Sequence, residues 1–138
     1  MIFVFEVRIK PGYSAERYAE AWVEASEMIQ SAAGARGTRL HRKIGDPSRL
    51  VAIASWHSKA DRDRAEGKRD PRVQAIIETQ ARFVEVEIVG EYEDPEWVVM
   101  PPGQSEVGAP GGSADKPSAR RLDGLSGPDA TRSVSSAS

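Results

Sequence analysis

A chain of 138 residues with 19 basic and 21 acidic side chains carries a net charge of −2, a balance that argues against a nucleic-acid or acidic-membrane partner. It has no cysteine and two histidines, which removes disulfides, thiolate metal sites and thiol nucleophiles and leaves little from which to build a metal centre. The opening Met1 to Phe5 run lacks a basic lead and is cut by Glu6, and no segment reaches membrane-spanning length, so a cytoplasmic protein is expected.

From Ile2 to Lys10 apolar residues alternate: Phe3, Phe5, Val7 and Ile9 share one face, and Ile2, Val4, Glu6 and Arg8 the other. This predicts a strand. Pro11-Gly12 ends it and Ser14 is a suitable N-cap. Tyr18, Trp22, Ala25 and Ile29 then form a helical stripe, with Gly34 as the stop. Alternation returns from Gly37 to Ile44. After the turn residues Gly45-Asp46-Pro47-Ser48 it resumes from Leu50 to Trp56, which predicts an antiparallel hairpin.

The second strand of that hairpin is apolar on both faces, Val51 and Ile53 on one, Leu50, Ala52, Ala54 and Trp56 on the other, so it should be covered on both sides. Ser58 and Asp61 resemble a capping box, and Asp70-Pro71 looks like a fresh helix start. The segment therefore reads as one helix in two pieces, with Val73, Ile76, Ile77 and Ala81 as its later stripe. Val84, Val86 and Ile88 alternate with Glu85, Glu87 and Val89 in a fourth strand, and Glu96 to Met100 could form a short fifth.

Composition divides the chain into a folded domain over 1–100 and a tail over 101–138. Half of the tail's residues are Pro, Gly or Ser and none is aromatic, so it should be disordered. Its Arg120 to Gly127 patch could be a docking motif for a protein partner. The patch resembles the Leu/Gly/Ser-rich C-terminal peptides that load cargo into encapsulin shells.

The order strand, helix, strand, strand, helix, strand predicts a ferredoxin-like α+β fold: a four-stranded antiparallel sheet with both helices on one face. The other sheet face carries Glu6, Arg8, Arg39, His41, Glu85 and Glu87, together with Ile2, Val4 and Val89. A second copy packing sheet to sheet would bury the apolar members, so a homodimer is expected.

The first hundred residues resemble the antibiotic biosynthesis monooxygenase family of dimeric α+β barrels. The resemblance rests on the Lys10-Pro11-Gly12 turn, Trp22, Gly34, the Gly45-Asp46-Pro47 turn, and Ala54-Ser55-Trp56-His57-Ser58-Lys59 closing the third strand. It implies oxidation of a small aromatic or quinol-type metabolite by dioxygen, with no metal or flavin cofactor. Such a pocket needs a base, a cation and donors for a developing anion. The resemblance offers His41 or His57 as base, Arg8 or Arg39 as cation and Trp56 as wall and N–H donor.

Trp56 and His57 must point to opposite faces of a regular strand. Small Ala52 and Ala54 share the Trp56 face and leave room there, which places Trp56 in the cavity on the open sheet face and Val51 and Ile53 in the helix-facing core. The expected site is thus His41, Trp56 and Arg8 as catalytic residues, with Glu6, Arg39, Ala52, Ala54, Glu85 and Glu87 around the substrate. Every one of these residues also has a plainer role in packing or surface ion pairs.

The chain departs from the family's haem-degrading branch, having Glu6-Val7 where that branch has an Asn, and Ala65 and Glu66 where it has a His ligand. It also has Ala52 where the polyketide-oxidising branch tends to carry Asn. The competing expectation is a catalytically silent barrel that binds a ligand or partner. RNA binding is not expected, because Phe3 and Phe5 fall on the helix-facing side.

Overall fold

The computed structural model describes residues 1–104; the tail beyond, with the Arg120 to Gly127 patch, lies outside the described residues. Four strands, β1 (Ile2–Ile9), β2 (Ala35–Lys43), β3 (Asp46–Trp56) and β4 (Val84–Tyr92), form one antiparallel sheet in the order β2-β3-β1-β4. Helices α1 (Ala15–Ile29), α2 (Lys59–Gly67) and α3 (Pro71–Gln80) complete the ferredoxin-like α+β unit from which dimeric α+β barrels are built.

Local chemistry sets these boundaries. Gly12 turns the chain at a φ of 91° and the Ser14 hydroxyl accepts from the Arg17 N–H at 3.1 Å, capping α1. That helix ends at Ile29 rather than running on to Gly34, because the N–H groups of Ser31 and Ala32 bond the carbonyls of Met28 and Ile29 in tighter turns. Ile44 and Gly45 alone turn the hairpin, so β3 starts at Asp46, inside the expected turn. Ser58 caps α2 through the Asp61 N–H at 3.1 Å, and Asp70 caps α3 through the Arg72 N–H at 2.8 Å, with Pro71 in the first turn. The expected two-piece helix is thus α2 and α3.

The core lies between the sheet and the helices. Phe3, Phe5, Val7 and Ile9 of β1 are buried there with Leu50, Ala52, Ala54 and Trp56 of β3. A second cluster joins α1 to α3 through Ala25, Val73 and Ile77. The expected faces of β3 are therefore reversed: Ala52, Ala54 and Trp56 point at the helices with no exposed surface, while Val51 and Ile53 lie half-buried on the open face.

The cross-strand register gives the reason. Phe3 sits opposite Ala54 and Phe5 opposite Ala52. The alanines leave space for the two rings, whose centroids are 5.9 Å apart, so large and small side chains complement each other across the strands. The space that Ala52 and Ala54 leave is filled by the protein's own phenylalanines.

Strand β4 is irregular at one point. Ile88 pairs with Phe5 but Gly90 pairs with Val4, so Val89 is an extra residue in a bulge, with Gly90 at a φ of 150°. Before the bulge Val84, Val86 and Ile88 are in register with the helix-facing residues of β1. After it the alternation is shifted by one, and Glu91 pairs with Phe3 on the helix side. Beyond β4, residues 96–100 form no strand, and Trp97 and Val99 stand 85% and 94% exposed.

Candidate functional site

The expected site residues fall into two groups on opposite sides of the sheet. Glu6, Arg8, Arg39, His41, Glu85 and Glu87 share the open face. Arg8 is paired with Glu85 directly across the strands, and Glu6 is held by Arg49 at 3.2 Å. His41 and Arg39 are exposed on β2, opposite Val51 and Ile53. Trp56, Ala52 and Ala54 lie on the helix side, so the sheet itself separates them from His41 and Arg8. The single cavity combining all of them is not formed.

His57 begins the chain's exit from β3. Its N–H donates to the Gly34 carbonyl at 2.7 Å, and its Nδ1 lies 3.3 Å from the Arg36 guanidinium, where it can only accept. Trp56 is anchored through its backbone: its N–H donates to the Met1 carbonyl, and the Met1 ammonium donates to the Trp56 carbonyl, both at 2.9 Å. The Met1 ammonium also pairs with Asp94 at 2.9 Å.

The helix-side layer is mostly apolar, yet several polar atoms are buried in it without a hydrogen-bond partner among the described residues: Nε1 of Trp22 and of Trp56, Oγ1 of Thr38, and Nε and Nη2 of Arg62. Buried donors are ordinarily bonded, since leaving one unbonded costs about 1–3 kcal/mol. Tyr18 lies on the same side, and burial pushes its phenol well above the ordinary range, so it stays protonated.

Arg62 is the residue that sequence reasoning missed. It has no exposed surface, its guanidinium carbon lies 4.0 Å from the centre of the Phe3 ring, and its Nη1 donates to Glu91 at 2.8 Å. The bulge in β4 is what delivers Glu91 to that position. A signal was present in α2, Lys59-Ala60-Asp61-Arg62-Asp63-Arg64-Ala65-Glu66-Gly67, which has two alanines as its only apolar side chains. A helix so polar must turn a charged residue toward any core it packs on, and Arg62 stands one turn before the core-packed Ala65.

A cleft of about 360 Å³ opens between α1, α2 and the start of α3. Its apolar lining includes Ile29, Ala32, Ala65 and Val73, and charged residues of both signs, among them Asp61, Arg64 and Glu66, border it. Ile29, Ala32 and Ala65 also pack against the sheet-side core, so the lining of the cleft is continuous with the layer that holds Trp56. A second hollow, of about 470 Å³, lies at the other end of the domain beside Tyr13, Glu16 and Arg42.

The described residues thus form a ferredoxin-like α+β unit with buried, unbonded donors between its sheet and its helices. The antibiotic biosynthesis monooxygenase family model matches residues 1–79, more than half of the chain, and the protein belongs to that family. Among solved structures, a candidate antibiotic biosynthesis monooxygenase from Deinococcus radiodurans aligns with a TM-score of 0.59 at 12% identity, covering 73% of this chain and 100% of that one. SnoaB, a cofactor-independent oxygenase from Streptomyces nogalater, aligns with a TM-score of 0.56 at 15% identity, covering 69% and 96%. Rv0793 from Mycobacterium tuberculosis aligns at 0.52 and 13% identity, covering 69% and 98%. A sequence search of curated proteins finds no match.

Proposed function

We propose that the protein is a cofactor-independent monooxygenase that oxidises a small aromatic or quinol-type metabolite between its helices and its sheet. The observation that carries this reading is the set of buried, unbonded donors of Trp22, Trp56 and Arg62 in a mostly apolar layer. An apolar enclosure favours a flat aromatic, and fixed N–H donors favour its anion over the neutral form, which lowers the substrate's own pKa. Family membership and the fold shared with SnoaB support the same reading.

The chemistry needs no outside reductant. For an anthrone-type substrate the ring CH₂ carbon loses two hydrogens and gains one oxygen atom of O₂ as a carbonyl. The other oxygen atom leaves as water with those hydrogens, and the substrate supplies all the electrons. The test is oxygen uptake with anthrone- and quinol-type substrates under ¹⁸O₂. One labelled oxygen in the product is expected, and no consumption above the enzyme-free rate for any of them would sink the reading.

One observation favours a second reading, a catalytically silent ligand-binding barrel: both His41 and His57 are exposed and neither belongs to the helix-side layer. That reading predicts tight binding of the same aromatics without oxygen uptake. In either case we propose that a second copy covers the open sheet face, where Ile2, Val4, Val51 and Ile53 form an apolar centre beside the Arg8–Glu85 and Arg49–Glu6 pairs. Light scattering at micromolar concentration should give the dimer mass, and Ile53→Glu should give the monomer mass.

A further inference from the structure

We infer that Arg62 is a carboxylate receptor, and that the ligand of the helix-side layer is an aromatic acid held through the Nε–Nη2 edge of this side chain. The inference rests on the reading that this layer receives the ligand, and it adds the ligand's charge and the group that reads it.

A guanidinium presents its five N–H bonds in a fixed plane. Nη1 of Arg62 is committed: it donates to Glu91 at 2.8 Å and also lies within 3.8 Å of Asp63 and Glu66. Nε and Nη2 are both buried and neither meets an acceptor among the described residues. These two nitrogens form the side edge of the guanidinium, with two N–H bonds running parallel. That spacing matches the two oxygens of one carboxylate, the arrangement that makes arginine–carboxylate pairs bidentate.

The surroundings fix the rest of the recognition. Phe3 stacks against the guanidinium at 4.0 Å, and the Glu91 bond holds it from the other end, so the edge is pre-oriented. The indole N–H groups of Trp22 and Trp56 are further donors in the same apolar layer. An aromatic body with one carboxylate would satisfy both the apolar surface and the guanidinium edge. A neutral aromatic would leave the edge unbonded.

The test compares 9-anthracenecarboxylate with its methyl ester, titrated into the full chain at pH 7 by calorimetry. The carboxylate should bind at least about tenfold tighter than the ester, the size expected of charge-assisted hydrogen bonds formed out of water. Arg62→Met should abolish that preference while leaving ester affinity within about threefold. Equal binding of the two probes by the unmutated protein, or a preference that survives Arg62→Met, overturns the inference.

If Arg62→Met does not fold, the unmutated protein still decides. The ¹⁵N-labelled Arg62 Nε–H resonance should move on saturation with the carboxylate and stay in place with the ester, and an unmoved resonance at saturating carboxylate overturns the inference. Carboxylate-selective binding that moves this resonance, in a protein that consumes no anthrone or quinol, supports the receptor and removes the oxygenase.

Discussion

The guanidinium of Arg62 lies 4.0 Å above the ring of Phe3, and this single contact ties together three otherwise separate features of the chain. Phe3 is set by the opening strand, Arg62 by the cap at Ser58, and their shared partner Glu91 by the bulge at Val89. A cation against an aromatic face is attracted by the ring quadrupole, and more strongly where water is excluded. The carboxylate of Glu91 then keeps the buried charge balanced.

That balance predicts an asymmetry between Glu91 and its exposed partner Lys59. Glu91→Ala leaves the buried guanidinium without its 2.8 Å partner and should cost roughly 2–4 kcal/mol in urea denaturation. Lys59 also pairs with Glu91, at 3.2 Å, but is 61% exposed, so Lys59→Ala should cost under about 1 kcal/mol. Equal losses for the two variants would mean that the Arg62–Glu91 pair has no special weight.

Gly34 offers a sharper test of the α1–α2 junction. Its φ is +90° and a Cβ there would lie 2.5 Å from the Cβ of Asp61, while its carbonyl accepts from the His57 N–H. Gly45 has a nearly identical φ of +89° with open space around it. Gly45→Ala should therefore cost about 1–2 kcal/mol from backbone strain alone. Gly34→Ala should cost more, roughly 2–4 kcal/mol, because α2 must also shift. Thermal melting of the two variants side by side measures the difference.

Most of the fold was legible because periodicity, caps and turns agreed along the chain. Ser14, Ser58 and Asp70 cap the helices where expected, and Phe3 to Ile9 face the core as their alternation implied. The site was less legible because strand three is apolar on both faces, so its pattern did not say which face meets the helices. Ala52 and Ala54 suggested room for a ligand, and the packing of Phe3 and Phe5 over them depends on a cross-strand register that no local pattern encodes. The bulge that turns Glu91 toward Arg62 is likewise a pairing event, with Gly90 as its only local trace.

Asp70 gives a pH dependence with a definite sign. Its hydrogen bonds to the Arg72 side chain and then to the Arg72 N–H hold its carboxyl down at about 2. The unfolded value is about 3.9, so the folded-state pKa is depressed. The stabilisation is present above pH ~4 and is lost as the pH falls toward ~2. Asp70→Asn keeps a capping oxygen but cannot titrate. The stability difference between the unmutated protein and this variant should shrink across that window, as read from denaturation midpoints between pH 5 and 2.

Trp56 separates packing from chemistry. Its indole is fully buried, but its Nε1–H has no acceptor among the described residues. Trp56→Phe therefore breaks no hydrogen bond among the described residues and should cost only the lost ring area, about 1–2 kcal/mol. Trp56→Ala, which opens a large cavity, should cost roughly 3–5 kcal/mol. If the N–H serves a ligand anion, Trp56→Phe should lower the oxidation rate at least about tenfold, the weight of one donor aimed at developing charge. A Trp56→Phe variant that is mildly destabilised yet fully active would reduce this tryptophan to a packing residue and move the chemistry away from it.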